Sequence, residues 1–201
     1  MKLILASTSI YRRTILQKLL IPFASASPMV DETPLAAESP NDLVARLAQA
    51  KAKNVAKTHE GLIIGSDQVA CVDGTILGKP GNFANAVQQL TFLAGKTVIF
   101  YTGLCVFDSA SKRHESIVER FNVTFKPLSH SQIVTYVNAE QPYDCAGSFK
   151  CEGLGICLFT KLDGRDPNTL IGLPLIGLIE LLAKFDVDVF DHIDSQTIPA
   201  P

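Results

Sequence analysis

Lys2-Leu3-Ile4-Leu5-Ala6-Ser7-Thr8-Ser9-Ile10-Tyr11-Arg12-Arg13 stands almost at the start of a 201-residue chain and changes character in its middle. Residues 2–6 are an apolar run that predicts a buried strand, and residues 12–20 place Ile15, Leu16, Leu19 and Leu20 on one face of a helix. Ser9 is a natural N-cap between them. A strand that feeds a helix is the unit of an α/β fold. Working outward, residues 25–40 carry Pro28, Pro34 and Pro40 with Asp31, Glu32 and Glu38, and read as a loop. Residues 41–58 set Leu43, Val44, Leu47, Ala48 and Ala52 against Arg46, Lys51 and Lys53, an amphipathic helix.

Residues 62–65 predict a second buried strand that ends in Ser66-Asp67-Gln68. Residues 69–72 continue as a strand into an Asp73-Gly74 turn, with 75–77 returning. A helix over 82–94 is closed by Gly95. The β-rich runs 97–107 and 117–125, joined by polar residues 108–116, predict an antiparallel pair. A helix over 129–139, a short strand over 155–159 and a last helix over 173–184 complete the reading. Helices alternate with strands early and late while the middle is antiparallel, so the class is α/β with a mixed sheet. The expectation is one domain over residues 1–190 and a mobile tail over 191–201 with little apolar content.

Apolar residues make up 47% of the chain and charged residues 19%. That is enough for a core and excludes a disordered chain. Eighteen Lys and Arg against twenty Asp and Glu give a net charge of −2, which argues against a general nucleic-acid partner. The most apolar stretch, residues 170–179, is ten residues long and contains Pro174, too short for a membrane span. The N-terminal apolar run is too short for a secretory signal. Cys71, Cys105, Cys145, Cys151 and Cys157 include no C-x-x-C pair and predict reduced, mostly buried thiols. His59, His114, His130 and His192 each stand in polar surroundings, so no zinc site is legible. A cytoplasmic location with no membrane contact is the expectation.

Several segments carry possible chemistry. Ser7-Thr8-Ser9 brings hydroxyls and backbone N–H groups to a helix start with Arg12 and Arg13 in its first turn, a pattern suited to phosphate. Two cations there oppose the helix dipole by roughly 0.3–1 kcal/mol each, a conflict that a bound polyanion removes. An ordinary capped helix with surface arginines is the plain alternative. Asp67 at a strand end suits a metal ligand or a base, although a lone turn aspartate more often caps an N–H. Lys79 in Gly78-Lys79-Pro80-Gly81 sits on a stiff turn and could meet phosphate or simply be solvated. Asp31, Glu32, Lys51 and Lys53 read alone as surface charge. Glycines 147, 153 and 155 around Tyr143–Gly153 suggest close backbone approach. Residues 166–174 read as a polar turn into a helix. Neither a P-loop nor a G-x-G-x-x-G fingerprint occurs.

Taken in order, LILASTSIYRR, VDET, IIGSDQV, GKP, YDCAGSFKCEG and GRDPNTLIGLPL closely resemble the Maf family of nucleotide pyrophosphatases, from Lys2 to about Leu182. Family members usually have proline where Ile10 stands, which leaves the start of the first helix less rigid here. The resemblance implies a two-lobed α/β fold with a central cleft, its mixed twisted sheet flanked by helices and shared with inosine-triphosphate pyrophosphatases. It implies a hydrolase that cleaves a nucleoside triphosphate between the α- and β-phosphates with Mg²⁺ or Mn²⁺. The family's general base matches Asp67, its phosphate contacts match Ser7, Arg12, Lys51 and Lys79, and a further acidic position matches Glu32. Glu32 and Asp67 together are the implied metal ligands.

Three subfamily positions match Tyr11, Gln68 and Glu152. The dTTP/UTP branch typically has Arg, Thr and Gln there, and this chain looks like the branch acting on 7-methyl-GTP. The residue chemistry agrees. A carboxylate accepts only, which suits the guanine N1–H and N2–H₂ donors. N7-methylation makes the purine a cation, which Glu152 attracts and a Tyr11 face stabilises by about 0.5–2 kcal/mol. The implied function is removal of 7-methyl-GTP before its incorporation into nucleic acid. The alternatives are dTTP/UTP hydrolysis and a nucleotide-binding regulator of septum formation. The resemblance also makes a homodimer plausible.

Overall fold

Leu3–Ala6 forms β1 with every side chain buried. In the computed structural model, which describes residues 2–193, β1 pairs in parallel with β2 (Phe23–Ala26) and with β3 (Leu62–Val72). Antiparallel to β3 lies β4 (Thr75–Leu77). With β5 (Thr97–Asp108), β6 (His114–Phe125) and β7 (Phe159–Gly164), they make a mixed seven-stranded sheet. Its order is β2-β1-β3-β5-β6-β7, with β4 beside β3. The described residues fall into two compact units. The first takes the chain up to Gln68, Thr102–Glu119 and the chain from Asp166 on; the second takes Val69–Tyr101 and Arg120–Arg165.

Within the first unit the alternation of β1 decides the layers. Leu3 and Leu5 point to one face, where they meet Ile15 and Leu16 of α1 (Ile10–Gln17) and Leu178 and Leu182 of α6 (Leu175–Ala183). Ile4 and Ala6 point to the other, where Ala48, Ala52 and Val55 of α2 (Pro40–Val55) cover them. Two strand glycines let α2 come very close. A Cβ on Gly65 would stand 2.1 Å from the Ala48 carbonyl oxygen, and one on Gly103 would stand 2.1 Å from that of Val44.

The second unit holds α3 (Phe83–Leu93), α4 (His130–Glu140) and an aromatic cluster. Phe149 makes edge contacts with Phe159 at 4.8 Å and with Phe100 at 5.5 Å between ring centroids. α4 opens with a full capping box between Ser129 and Gln132.

The structure departs from the sequence reading at several places. β3 is unbroken, so Asp67 and Gln68 lie inside a strand and not at its end. β2 is an additional strand. Residues 155–159 are mostly a 3-10 turn, Leu154–Leu158, because the N–H groups of Gly153 and Gly155 both turn back to the Lys150 carbonyl. The strand follows it, as β7. The last helix starts two residues later than expected, behind a separate short helix α5 (Asn168–Ile171) that Gly172 ends at φ 108°. All five cysteines are free, but only Cys71 and Cys105 are buried. In the expected tail, residues 191 and 192 belong to the 3-10 turn Phe190–His192; residues 194–201 lie outside the described residues.

Candidate functional site

The first unit gathers most of the charged candidates. Where β1 ends, the buried Ser7 hydroxyl accepts the Ser9 N–H at 3.1 Å, and the Ser9 hydroxyl accepts the Arg12 N–H at 3.4 Å. This pair of caps starts α1 with Arg12 in its first turn, and no acidic residue offsets that cation there. The Arg12 side chain turns instead to α5, donating from Nε to the Gly172 carbonyl at 2.9 Å. The Ser66 hydroxyl donates to the same oxygen at 2.9 Å, which fills both lone pairs. Burial pulls the Arg12 guanidinium down from its ordinary value, while the charges of Asp67 and Glu32 hold it up.

Asp67 on β3 faces Lys51 on α2, with Lys51 Nζ 2.6 Å from Asp67 Oδ1. The same ammonium is 2.7 Å from Glu32 Oε1. Lys51 keeps only 6% of its side chain exposed, whereas Glu32 keeps 58%. Burial raises the Asp67 pKa above its ordinary 3.8, against the opposing pull of Lys51 and Arg12. The structure therefore joins Arg12, Glu32, Lys51 and Asp67 in one electrostatic cluster, beside a strand end whose Ser7 hydroxyl is already organised. The reading of Lys51 as a solvated surface charge is overturned, because α2 lies close enough to bury it.

No group of three or more His, Cys, Asp or Glu side chains that could hold a metal occurs among the described residues. Glu32 and Asp67 supply hard carboxylate oxygens, and Mg²⁺ is commonly held by one or two carboxylates plus substrate phosphates. The donor set fits such an ion arriving with a polyphosphate. It does not make a closed protein cage.

Tyr11 is 37% exposed on the first turn of α1. Gln68 is less open. Its Nε2 donates to the Thr169 carbonyl at 2.7 Å, to the Leu170 carbonyl at 3.2 Å and to Thr102 Oγ1 at 2.9 Å. Asp166, which the sequence showed only as part of a polar turn, holds this corner together. The carboxylate of Asp166, 1% exposed, accepts from Asn168 N at 2.8 Å and from Ile176 N at 2.8 Å, and so ties the starts of α5 and α6. The Asp-Pro-Asn sequence carried that capping signal. The role of Ser66 and Gly172 carried none.

Lys79 and Glu152 belong to the second unit. Lys79 is exposed on a turn pinned by Asn85 Nδ2 on the Pro80 carbonyl at 2.9 Å and by Gly81 N on the Tyr143 carbonyl at 3.0 Å. Glu152 is exposed, and Cys151 Sγ donates to its Oε2 at 3.4 Å. Burial, reinforced by Glu152, pushes the Cys151 thiol up to about 12. Glu140 steadies the segment by accepting the Leu154 N–H at 2.7 Å.

The mixed sheet covered by helices is an α/β fold shared with solved proteins. A Ham1 protein from Coxiella burnetii superposes with a TM-score of 0.52 at 14% identity, over 92% of this chain and 99% of that one. The chain belongs to the Maf-like protein family, whose model matches residues 2–185. A 7-methyl-GTP pyrophosphatase from Pseudoalteromonas atlantica is 67% identical over 96% of this chain and 99% of its own. One from Colwellia psychrerythraea is 57% identical over 98% of each. No helix among the described residues is long and apolar enough to cross a membrane.

Proposed function

We propose that this chain is a hydrolase that converts 7-methyl-GTP to 7-methyl-GMP and pyrophosphate, and so keeps the modified nucleotide out of nucleic acid. The substrate rests on the 67% identity to a relative of that name over nearly the whole chain. The mechanism rests on one observation, the buried carboxylate of Asp67 held by Lys51 and electrostatically coupled to Arg12 and Glu32. Water attacks the α-phosphorus, Asp67 takes its proton, the α–β anhydride bond breaks and pyrophosphate leaves. Arg12, Lys51 and Lys79 hold the phosphate charge, and Ser7 contributes its hydroxyl at the strand end. Glu32 and Asp67 would hold a Mg²⁺ or Mn²⁺, which would supply further positive charge toward the phosphates.

For the base, Tyr11 offers a ring face to the cationic purine and Glu152 an acceptor to its N–H donors, with Gln68 as the third subfamily position. Residues 1–190 act as one functional domain in this reading. The partner is a small nucleotide, and neither nucleic acid nor a membrane is required.

The test is pyrophosphate release from 7-methyl-GTP, GTP, dTTP and UTP with Mg²⁺ or Mn²⁺. Preferred turnover of 7-methyl-GTP, reduced by roughly 10²–10⁴-fold in Asp67→Asn, is the expected result. Preference for dTTP or UTP would overturn the substrate assignment. Nucleotide binding without any turnover would favour the septum regulator.

A further inference from the structure

Glu152 is expected to meet the base, yet it stands exposed on residues 141–153, which form neither helix nor strand. A side chain on such a segment reads a ligand well only if the backbone beneath it is already held, because ordering a free loop on binding costs affinity. The backbone is held on both sides of Glu152, and by the C-terminal half of α4. Before it, the Lys150 N–H donates to the Tyr136 hydroxyl at 3.0 Å, and Lys150 Nζ donates to the Glu140 carbonyl at 2.7 Å. After it, the Leu154 N–H donates to Glu140 Oε1 at 2.7 Å. The Lys150 carbonyl closes the turn between these anchors, accepting from Gly153 N at 3.3 Å and from Gly155 N at 3.2 Å.

Glu140 therefore grips both ends of the turn, one with its carbonyl and the other with its carboxylate. The side chain is 20% exposed, and Gly153 gives it room: a Cβ there would stand 2.7 Å from Glu140 Oε1. Oε2 lies 4.0 Å from Lys150 Nζ, which offsets part of the negative charge. A carboxylate that accepts a backbone N–H makes a charge-assisted bond, stronger than one between neutral groups. Tyr136, the other anchor, is 3% exposed and sits firmly in the core of the second unit.

We propose that Glu140 is a positioning residue for base recognition, which fixes residues 150–154 against α4 and so sets where the Glu152 carboxylate stands. The inference rests on the reading of Glu152 as a base contact. Binding of the phosphates does not depend on it.

The experiment compares Glu140→Ala, which removes the acceptor, with Glu140→Gln, which keeps an acceptor oxygen and removes the charge. The readouts are steady-state kinetics with 7-methyl-GTP, calorimetric affinity for inorganic pyrophosphate, and hydrogen exchange of the Leu154 N–H. In Glu140→Ala, kcat/KM should fall by roughly tenfold, carried by KM, with faster Leu154 exchange and unchanged pyrophosphate affinity. Glu140→Gln should match the wild-type protein in all three. Pyrophosphate affinity lost in parallel would overturn the proposal, since pyrophosphate carries no base. Wild-type kinetics in Glu140→Ala would also overturn it, as would a Glu140→Gln protein as impaired as the alanine variant. In a Glu152→Gln background Glu140→Ala should add little, and full additivity would count against the proposal in the same way. Should Glu140→Ala not fold, Tyr136→Phe removes the acceptor of the Lys150 N–H. It must raise KM for 7-methyl-GTP in the same sense, and an unchanged KM would overturn the proposal. Wild-type kinetics in Glu152→Gln, with Leu154 exchange still sensitive to Glu140, would instead overturn the role of Glu152 at the base.

Discussion

At Asp67 two opposing influences act on one carboxylate. Burial in β3 favours its protonated form and raises its pKa above the ordinary 3.8, while Lys51 and Arg12 favour the charged form. For folding, the sign follows from where the protons go. A raised folded-state value means the native chain holds its proton longer than the unfolded one. The stabilisation from this group is therefore complete below the ordinary value and lost as pH climbs through the raised one. For catalysis only the ionised form is a base, so kcat/KM should rise on an acid limb centred above the ordinary aspartate range. Lys51→Met removes both the attraction and the hydrogen bond that oppose burial, and should move that limb to higher pH whatever it does to the plateau rate. A pH profile of kcat/KM for the two proteins decides it, and an unmoved or lowered limb would show that Lys51 does not tune Asp67. The candidate pair was only half legible in the sequence. Asp67 could be picked out as an acid in an apolar run, but Lys51 looked like any solvated helix lysine.

The reason lies at the scale of elements, in how closely α2 approaches the sheet. Gly65 and Gly103 set that approach, and a contact between a strand glycine and a helix carbonyl leaves no trace in periodicity. Gly65→Ala must push a methyl group against the Ala48 carbonyl. We expect a loss of about 1–3 kcal/mol in denaturant unfolding and a fall in kcat, because Lys51 retreats with α2. A methyl group accommodated without loss would show that α2 is not held by this contact. At α1 the effect runs the other way. Ile10 is the first helical residue, Ser9 before it is extended at φ −67° and ψ 121°, and Ile10 is 69% exposed. Proline suits both positions, so Ile10→Pro should stabilise the fold by about 0.4–1 kcal/mol, read in the same unfolding experiment. α1 itself was legible because its cap and spacing are local. β2 was not, since its four residues are only partly buried and lack an apolar run. The 3-10 turn at Leu154–Leu158 was misread because its apolar residues answer to a turn-back on Lys150, not to a neighbouring strand.

For the whole molecule the decisive quantity is how charge is distributed. The chain carries a net charge of −2, yet Arg12 and Lys51 lie with Asp67 and Glu32 in the cluster proposed for a polyanionic substrate. Two fields therefore act on an approaching triphosphate, and salt separates them by sign. If the weak overall negative charge dominates, screening relieves repulsion and kcat/KM rises with ionic strength. If the local cations dominate, screening removes attraction and kcat/KM falls. Raising ionic strength from about 0.01 M to about 0.15 M shortens the Debye length from about 30 Å to about 8 Å, which weakens attraction before contact but spares the buried pair. We expect kcat/KM for the triphosphate to fall several-fold over that range, carried by KM, with kcat little changed. Arg12→Ala should flatten the dependence, because it removes a cation and leaves the rest of the surface as it was. A salt response equally steep in that variant would mean that attraction comes from charges elsewhere on the surface, and Arg12 would lose its claim to the phosphate.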